Sequence, residues 1–239
     1  MKKVVLLLIL ALLVGGCTAD TVAPASKKLP IYSVAREDNK LSISFDAAWG
    51  TEYTRDILDI LDQYEIKTTF FVVQFWVEDY PEMAREIVNR GHELGNHSAT
   101  HPQMGDLSAA EIEREIMATH ETIREITGFE AKLFRPPFGH YSGPMLEKIE
   151  SLGYYTIQWD VDSLDWKERG TEEVVQRVTR LAGPGSIVLF HNNAKYITQA
   201  LPLILEDFRR RNLEVVPVSE LIYYEDYIID HEGRQHRRQ

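Results

Sequence analysis

A chain of 239 residues, 44% hydrophobic and 26% charged, has the composition of an ordinary globular protein and enough length to bury a core within one domain. Its formal net charge of -11 argues against nucleic-acid binding, which requires the phosphate backbone to be neutralised. The single cysteine, Cys17, excludes an intramolecular disulfide.

In chain order, Met1-Lys2-Lys3 makes a positive start, and residues 4–14 form an unbroken apolar run. That run suits a signal-peptide core and falls short of the ~20 residues needed to span a bilayer. Val14-Gly15-Gly16-Cys17 resembles the lipobox of bacterial lipoproteins, in which the chain is cut before a cysteine that then carries lipid. The resemblance implies a signal peptide over 1–16 and a membrane anchor at Cys17; the other reading is a plain secretory signal. Residues 17–39 then comprise the lipidated cysteine and a small, polar tether. A folded domain is expected over 40–225, and 226–239 reads as a basic, solvated tail.

Leu41-Ser42-Ile43-Ser44-Phe45 alternates apolar and polar residues and predicts a strand that runs into Asp46. Ile57, Leu58, Leu61 and Tyr64 share one helical face, and 67–73 reads as a strand. Pro81 opens a helix for which Gly91 is a stop, and 92–96 is a short strand. Ser108 and Glu111 form a capping-box pattern before Ile112, Ile116, Ile123 and Ile126, with Gly128 at the end of that helix. Strands are expected over 131–135, 154–159, 186–190 and 213–216. Between them fall a helix after Pro144, one capped by Thr171, and one through Leu201, Ile204, Leu205 and Phe208; a last helix is expected over 221–229. Some seven βα units predict a parallel sheet, closed like a barrel or open and doubly wound. The chain has no glycine-rich nucleotide fingerprint, which disfavours a dinucleotide-binding domain.

Five polar clusters follow five of these strands. They are Asp46-Ala47-Ala48-Trp49-Gly50, Asn96-His97-Ser98-Ala99-Thr100-His101-Pro102, Arg135-Pro136-Pro137-Phe138-Gly139-His140-Tyr141, Asp160-Val161-Asp162-Ser163-Leu164-Asp165-Trp166 and Leu189-Phe190-His191-Asn192-Asn193. Taken singly, each has a bland reading: a turn aspartate, two surface histidines, a stiff proline turn. Pro102 disfavours helical geometry at His101, so the histidine pair belongs to a loop. Together, the clusters are best explained by one site at the carboxyl face of a barrel-like sheet.

In this order the clusters resemble the motifs of the polysaccharide deacetylases, the NodB-homology domain, over about residues 40 to 220. The wording Phe-Asp-Ala-Ala-Trp-Gly looks most like a branch found in spore-forming Gram-positive bacteria, with members related to the cell wall. The resemblance implies a distorted (β/α) barrel of about seven strands. It also implies metal-dependent hydrolysis of an N-acetyl amide, or an O-acetyl ester, on a polysaccharide, with peptidoglycan as the expected glycan. Carried over, it makes Asp46 the general base, Arg135 its partner, His191 the general acid and Asp165 the group that orients His191. His97 and His101 would hold a divalent metal, with zinc expected. The Phe138 N–H would support the oxyanion, Trp166 and Leu189 would wall the acetyl pocket, and Tyr141 would lie near substrate. The chain departs from the family at Ala47, where a second aspartate normally ligates the metal. Asp46, another acid or an asparagine then completes the shell, or the metal binds weakly through two histidines and water, or the domain only binds glycan.

Overall fold

The computed structural model describes residues 28–238; the expected signal peptide and Cys17 lie outside the described residues. The elements are β1 (Ser33–Val34), β2 (Lys40–Ala47), α1 (Thr54–Gln63), β3 (Thr69–Val72), α2 (Gln74–Asp79), α3 (Pro81–Asn89), β4 (Glu93–Asn96) and α4 (Ala109–Thr127). They continue with β5 (Leu133–Phe134), α5 (Gly143–Ser151), β6 (Tyr155–Thr156), β7 (Val161–Asp162), α6 (Thr171–Leu181), β8 (Ile187–His191) and α7 (Ile197–Arg210). The chain finishes with β9 (Glu214–Val215), α8 (Val218–Leu221), β10 (Tyr227–Ile229) and β11 (Arg234–Arg237). Among the described residues no helix is long and apolar enough to cross a membrane.

The main sheet runs β6-β5-β4-β3-β2-β8-β7, all parallel, with β9 paired to the start of β2. It curls into a barrel-like trough whose two ends do not pair. Residues 31–34 bridge that gap, with Ile31 paired to Ile157 at one end and Ser33 to Ser186 at the other. Val34 N–H donates to the Gly185 carbonyl at 2.9 Å, and a side chain at Gly185 would overlap the Val34 oxygen. Glycine is therefore required there, by the close approach and by its φ of +82°.

The period-2 pattern of β2 decides what faces where. Leu41, Ile43, Phe45 and Ala47 join the core under the helices, where Phe45 stacks between Phe70 and Phe190 at ring distances of 5.0 and 5.6 Å. The alternate residues turn inward: Ser42 and Ser44 donate to the Val216 and Val188 carbonyls, and Asp46 follows them at the carboxyl end. A second apolar cluster, including Ile31, Phe71, Leu133, Ile157, Ile187 and Val218, fills the trough below.

Most expected elements are present, several shorter than the pattern suggested. The strand over 154–159 is only Tyr155–Thr156, because the chain beyond it bonds to Ile31 instead. The capping box at Ser108 and Glu111 forms, and Gly128 closes α4 with a left-handed φ of 73°. Thr171 does not cap α6: it is the first helical residue after Gly170, and its hydroxyl donates to Gln199 Oε1 at 2.9 Å. The last helix over 221–229 is not formed; α8 stops at Leu221, and 227–229 is a strand. The residues read as a solvated tail form β11, antiparallel to β10 and parallel to β1. Asp230 Oδ1 builds the intervening turn by accepting the N–H groups of Glu232 and Arg234. Gln235 is fully buried, its amide exchanging bonds with the Tyr223 backbone at 2.6 and 2.8 Å.

Candidate active site

The sheet register sets Asp46 opposite His191 on β8 and opposite Phe71 on β3. A cavity of about 510 Å³ opens above these strand ends; Asp46, Trp49, His97, His101, Phe138 and Trp159 line one part of it. Asp162, Trp166, Leu189 and His191 line the rest. Of the sequence-predicted residues, Asp46, His97, His101, Phe138, Trp166, Leu189 and His191 thus meet in one cavity, with Arg135 and Asp165 buried behind it. Tyr141 does not line it: its hydroxyl lies 3.4 Å from that of Tyr32. His140 also sits outside, accepting the Gly105 N–H.

Two buried charge pairs brace the site. Arg135 is fully buried at the end of β5; Nη1 donates to Asp46 Oδ1 at 2.8 Å and Nη2 to the Gln158 carbonyl at 3.2 Å. Its guanidinium lies 4.1 Å over the Phe71 ring, and Nε has no hydrogen-bond partner among the described residues. Across the cavity, Asp165 is 1% exposed and engaged at both oxygens. Oδ1 takes the His191 Nδ1–H at 2.7 Å and the Trp166 N–H at 2.8 Å, while Oδ2 takes the His191 backbone N–H at 2.8 Å. That fixes the ring and leaves Nε2 as its other, working nitrogen.

The histidine loop follows β4, as Pro102 suggested. It is pinned by Asn96, which stood in the same cluster, and by a residue the sequence reading missed. Glu115 on α4 accepts from Ala99 N, Thr100 N and Thr100 Oγ1, and Asn96 accepts from Ser98 N. Glu115 looked like one more charge on a solvated helix face, and no local pattern marks it otherwise. Ser98 and His101 adopt positive φ values of 72° and 58°, which turn the loop tightly enough to bring the two rings to 5.0 Å. His97 Nδ1 donates to the Arg135 carbonyl at 2.7 Å, so Nε2 faces Asp46 Oδ2, 3.5 Å away. His101 is held edge-on by Trp49 at 5.0 Å and Phe138 at 4.6 Å. Trp49 stood inside the Asp46 cluster but had no assigned role. Phe138, at φ 59°, follows two prolines, so its N–H is the first donor of that loop.

The electrostatics separate the groups. Burial pushes the Asp46 carboxyl up, but Arg135, with His97 and His191, more than offsets it and holds Asp46 below its usual 3.8. Burial lowers His97 and His101, the latter to about 4 with His97 beside it. For His191 burial acts downward too, yet the Asp165 hydrogen bond and the charges of Asp165, Asp46 and Asp162 raise it above 6.5. A carboxylate whose ionised form is favoured and an imidazole whose protonated form is favoured, facing each other at the same strand ends, suit a base–acid pair.

The metal position is incomplete. Two imidazoles are zinc-type donors, and His97 has the carbonyl partner typical of a ligating histidine. Among the described residues, however, no three His, Cys, Asp or Glu side chains form a group able to hold a metal ion. Ala47 is fully buried in the core under the helices and has no donor atom. The residues therefore do not fit a preformed three-ligand centre.

The family model for polysaccharide deacetylases matches residues 33–157. Peptidoglycan-N-acetylglucosamine deacetylase PgdA of Listeria monocytogenes is 32% identical over 198 residues, which are 83% of this chain and 42% of that one. This chain thus spans about two fifths of that relative's length. A Bacillus cereus peptidoglycan-N-acetylglucosamine deacetylase is 31% identical over 81% of this chain and 92% of its own. Among solved structures, a wild-type CE4 family pseudoenzyme from Bacillus anthracis superposes with a TM-score of 0.79 at 31% identity, covering 88% of this chain and 73% of that one. A mutant of that pseudoenzyme described as having restored enzymatic activity gives 0.78 at 35% identity, over 81% and 71%.

Proposed function

Because this chain belongs to the polysaccharide deacetylase family, we propose that it removes acetyl groups from an N-acetylated cell-wall polysaccharide, with peptidoglycan the expected substrate. The observation that carries the reading is the pair of opposed, oppositely tuned groups, Asp46 braced by Arg135 and His191 braced by Asp165, on one cavity. Asp46 takes a proton from water as the water oxygen attacks the acetyl carbonyl carbon. The Phe138 N–H faces the developing oxyanion. His191 gives its Nε2 proton to the sugar nitrogen as the C–N bond breaks, leaving acetate and a free amine. Trp166 and Leu189 wall the pocket for the acetyl methyl group. A divalent metal, zinc by donor type, would sit at His97 and His101, where its chemistry is to polarise the carbonyl. Cys17, lipidated, would anchor the domain outside the cell membrane.

The similarity to a pseudoenzyme, together with Ala47, supports a second reading: a glycan-binding protein of the same fold without catalysis. Acetate release from N-acetylglucosamine oligomers and from purified peptidoglycan separates the two. Release from either, abolished by His191→Ala, supports the enzyme. Binding of both with no acetate released leaves the binding protein.

A further inference from the structure

Two indoles on the cavity wall are only half covered. Trp49 and Trp166 both line the cavity, and each is 55% exposed. Apolar area that folding leaves uncovered inside a concave site marks where a ligand lies. Trp166 follows Asp165 on the His191 side and walls the acetyl pocket. Trp49 stands on the other side, against His101, and no step of the hydrolysis uses it. Its turn is nevertheless firmly held. The Gly50 carbonyl accepts Trp76 Nε1 and Asn192 Nδ2, each at 2.8 Å, and both donor residues are fully buried. Asn192 follows His191, and its backbone N–H donates to the Asp46 carbonyl at 3.1 Å. The turn carrying Trp49 is thus tied to the strands of both the base and the acid. An aromatic face held on such a frame gives up little freedom when a ligand covers it.

The chemistry of the walls selects the ligand. Among the described residues no lysine or arginine lines the cavity, so a glycan is not gripped there through charge. A pyranose ring instead offers a flat face of C–H groups that packs on an indole while its hydroxyls stay in water at the ring edge. A cavity of about 510 Å³ leaves room beside one acetamido sugar. With one acetyl group between Trp166 and Leu189, the next ring of the same chain extends past Asp46 to the histidine side. We propose that Trp49 is a specificity-determining residue: its indole stacks on the C–H face of the sugar next to the one that loses its acetyl group. The site then takes a chain of at least two N-acetylated sugars in preference to a single one. This rests on the deacetylase reading for the class of glycan; the stacking itself involves no chemical step.

The test compares N-acetylglucosamine with its tetramer on wild type, Trp49→Ala and Trp49→Phe, each first checked by thermal melt. NMR titration gives the affinities, and acetate release gives kcat/KM. Wild type is expected to favour the tetramer. Trp49→Ala should lose that preference by roughly 5–30-fold, the range for truncating an aromatic anchor. Trp49→Phe should keep part of it, because a smaller aromatic face remains. A structural fault, such as a loosened His101, lowers both sugars alike and leaves their ratio intact. A Trp49→Ala protein with the wild-type ratio therefore overturns the proposal, as does a wild type that treats the two sugars equally or binds neither. Acetate release with an unchanged ratio in Trp49→Ala sinks the stacking platform and leaves the deacetylase. A tetramer preference in binding that Trp49→Ala abolishes, with no acetate from either sugar, sinks the deacetylase and leaves the platform.

Discussion

Replacing Asp165 by asparagine isolates how His191 is made an acid. The carboxylate accepts three N–H groups, from His191 Nδ1, His191 N and Trp166 N, and is itself 1% exposed. Asparagine has one acceptor oxygen. With its amide nitrogen at the Oδ2 position it opposes the His191 backbone N–H; at the Oδ1 position it opposes both of the others. The substitution also removes the charge that lifts the imidazolium. A hydrogen bond to a charged group is worth about 1.5–3 kcal/mol, so the protonated form of His191 should lose stabilisation of that order and titrate lower. Activity needs Asp46 ionised and His191 protonated. In the wild type the rate should therefore hold above the usual imidazole range before its alkaline fall. In Asp165→Asn the fall moves to lower pH, and the rate on the alkaline side drops about 10–100-fold, the factor that corresponds to about 1.5–3 kcal/mol. Acetate release across pH 5–10 reads the limb, and proton NMR of the His191 ring reads the titration directly. An alkaline limb and a His191 titration both unchanged in the variant would falsify the assignment of Asp165 as the group that raises His191.

Two further predictions concern the scaffold. A methyl group at Gly95 would overlap the Phe71 ring, the platform under Arg135. Gly95→Ala should cost about 1–3 kcal/mol, seen as a lower melting temperature, and should lower the rate by displacing the guanidinium that holds Asp46. An unchanged melt and rate would show that Phe71 yields freely. Ending the chain at residue 226 removes β10 and β11, including the two buried hydrogen bonds of Gln235. The loss should be about 2–4 kcal/mol, or ~5–15 °C in Tm; a truncated protein melting with the full chain would restore the solvated-tail reading.

The strand-end clusters were legible because a parallel sheet gathers its carboxyl ends at one place, whichever order the strands take. Asp46, His97 and His191 could be read from a strand running into a polar residue. Their supports could not. Glu115 accepts from the backbone of the histidine loop and Gln158 offers its own carbonyl to the Arg135 guanidinium, both far away in sequence, and nothing in their neighbours differs from a surface helix or a strand edge. The C-terminal strands were misread for a related reason. Tyr227-Ile228-Ile229 is too short for its period to distinguish strand from helix, and its partner is fixed by β1. Ala47 was visible at once as a missing ligand, but its placement in the helix-side core, leaving Asp46 alone before the histidines, required the structure.

The pairing of β1 with β11 also sets an order of events. β1 lies near the start of the described chain and β11 near its end, yet they are neighbours, and residues 31–34 also staple the open ends of the main sheet. A nascent chain can assemble β2 through β8 as those strands emerge. It cannot complete the small sheet of β1, β11 and β10 until β11 has been made. Such long-range closure is slow and leaves β11 without its β1 neighbour in the interval. The β1–β11 pairing should therefore be among the last contacts of this sheet to form.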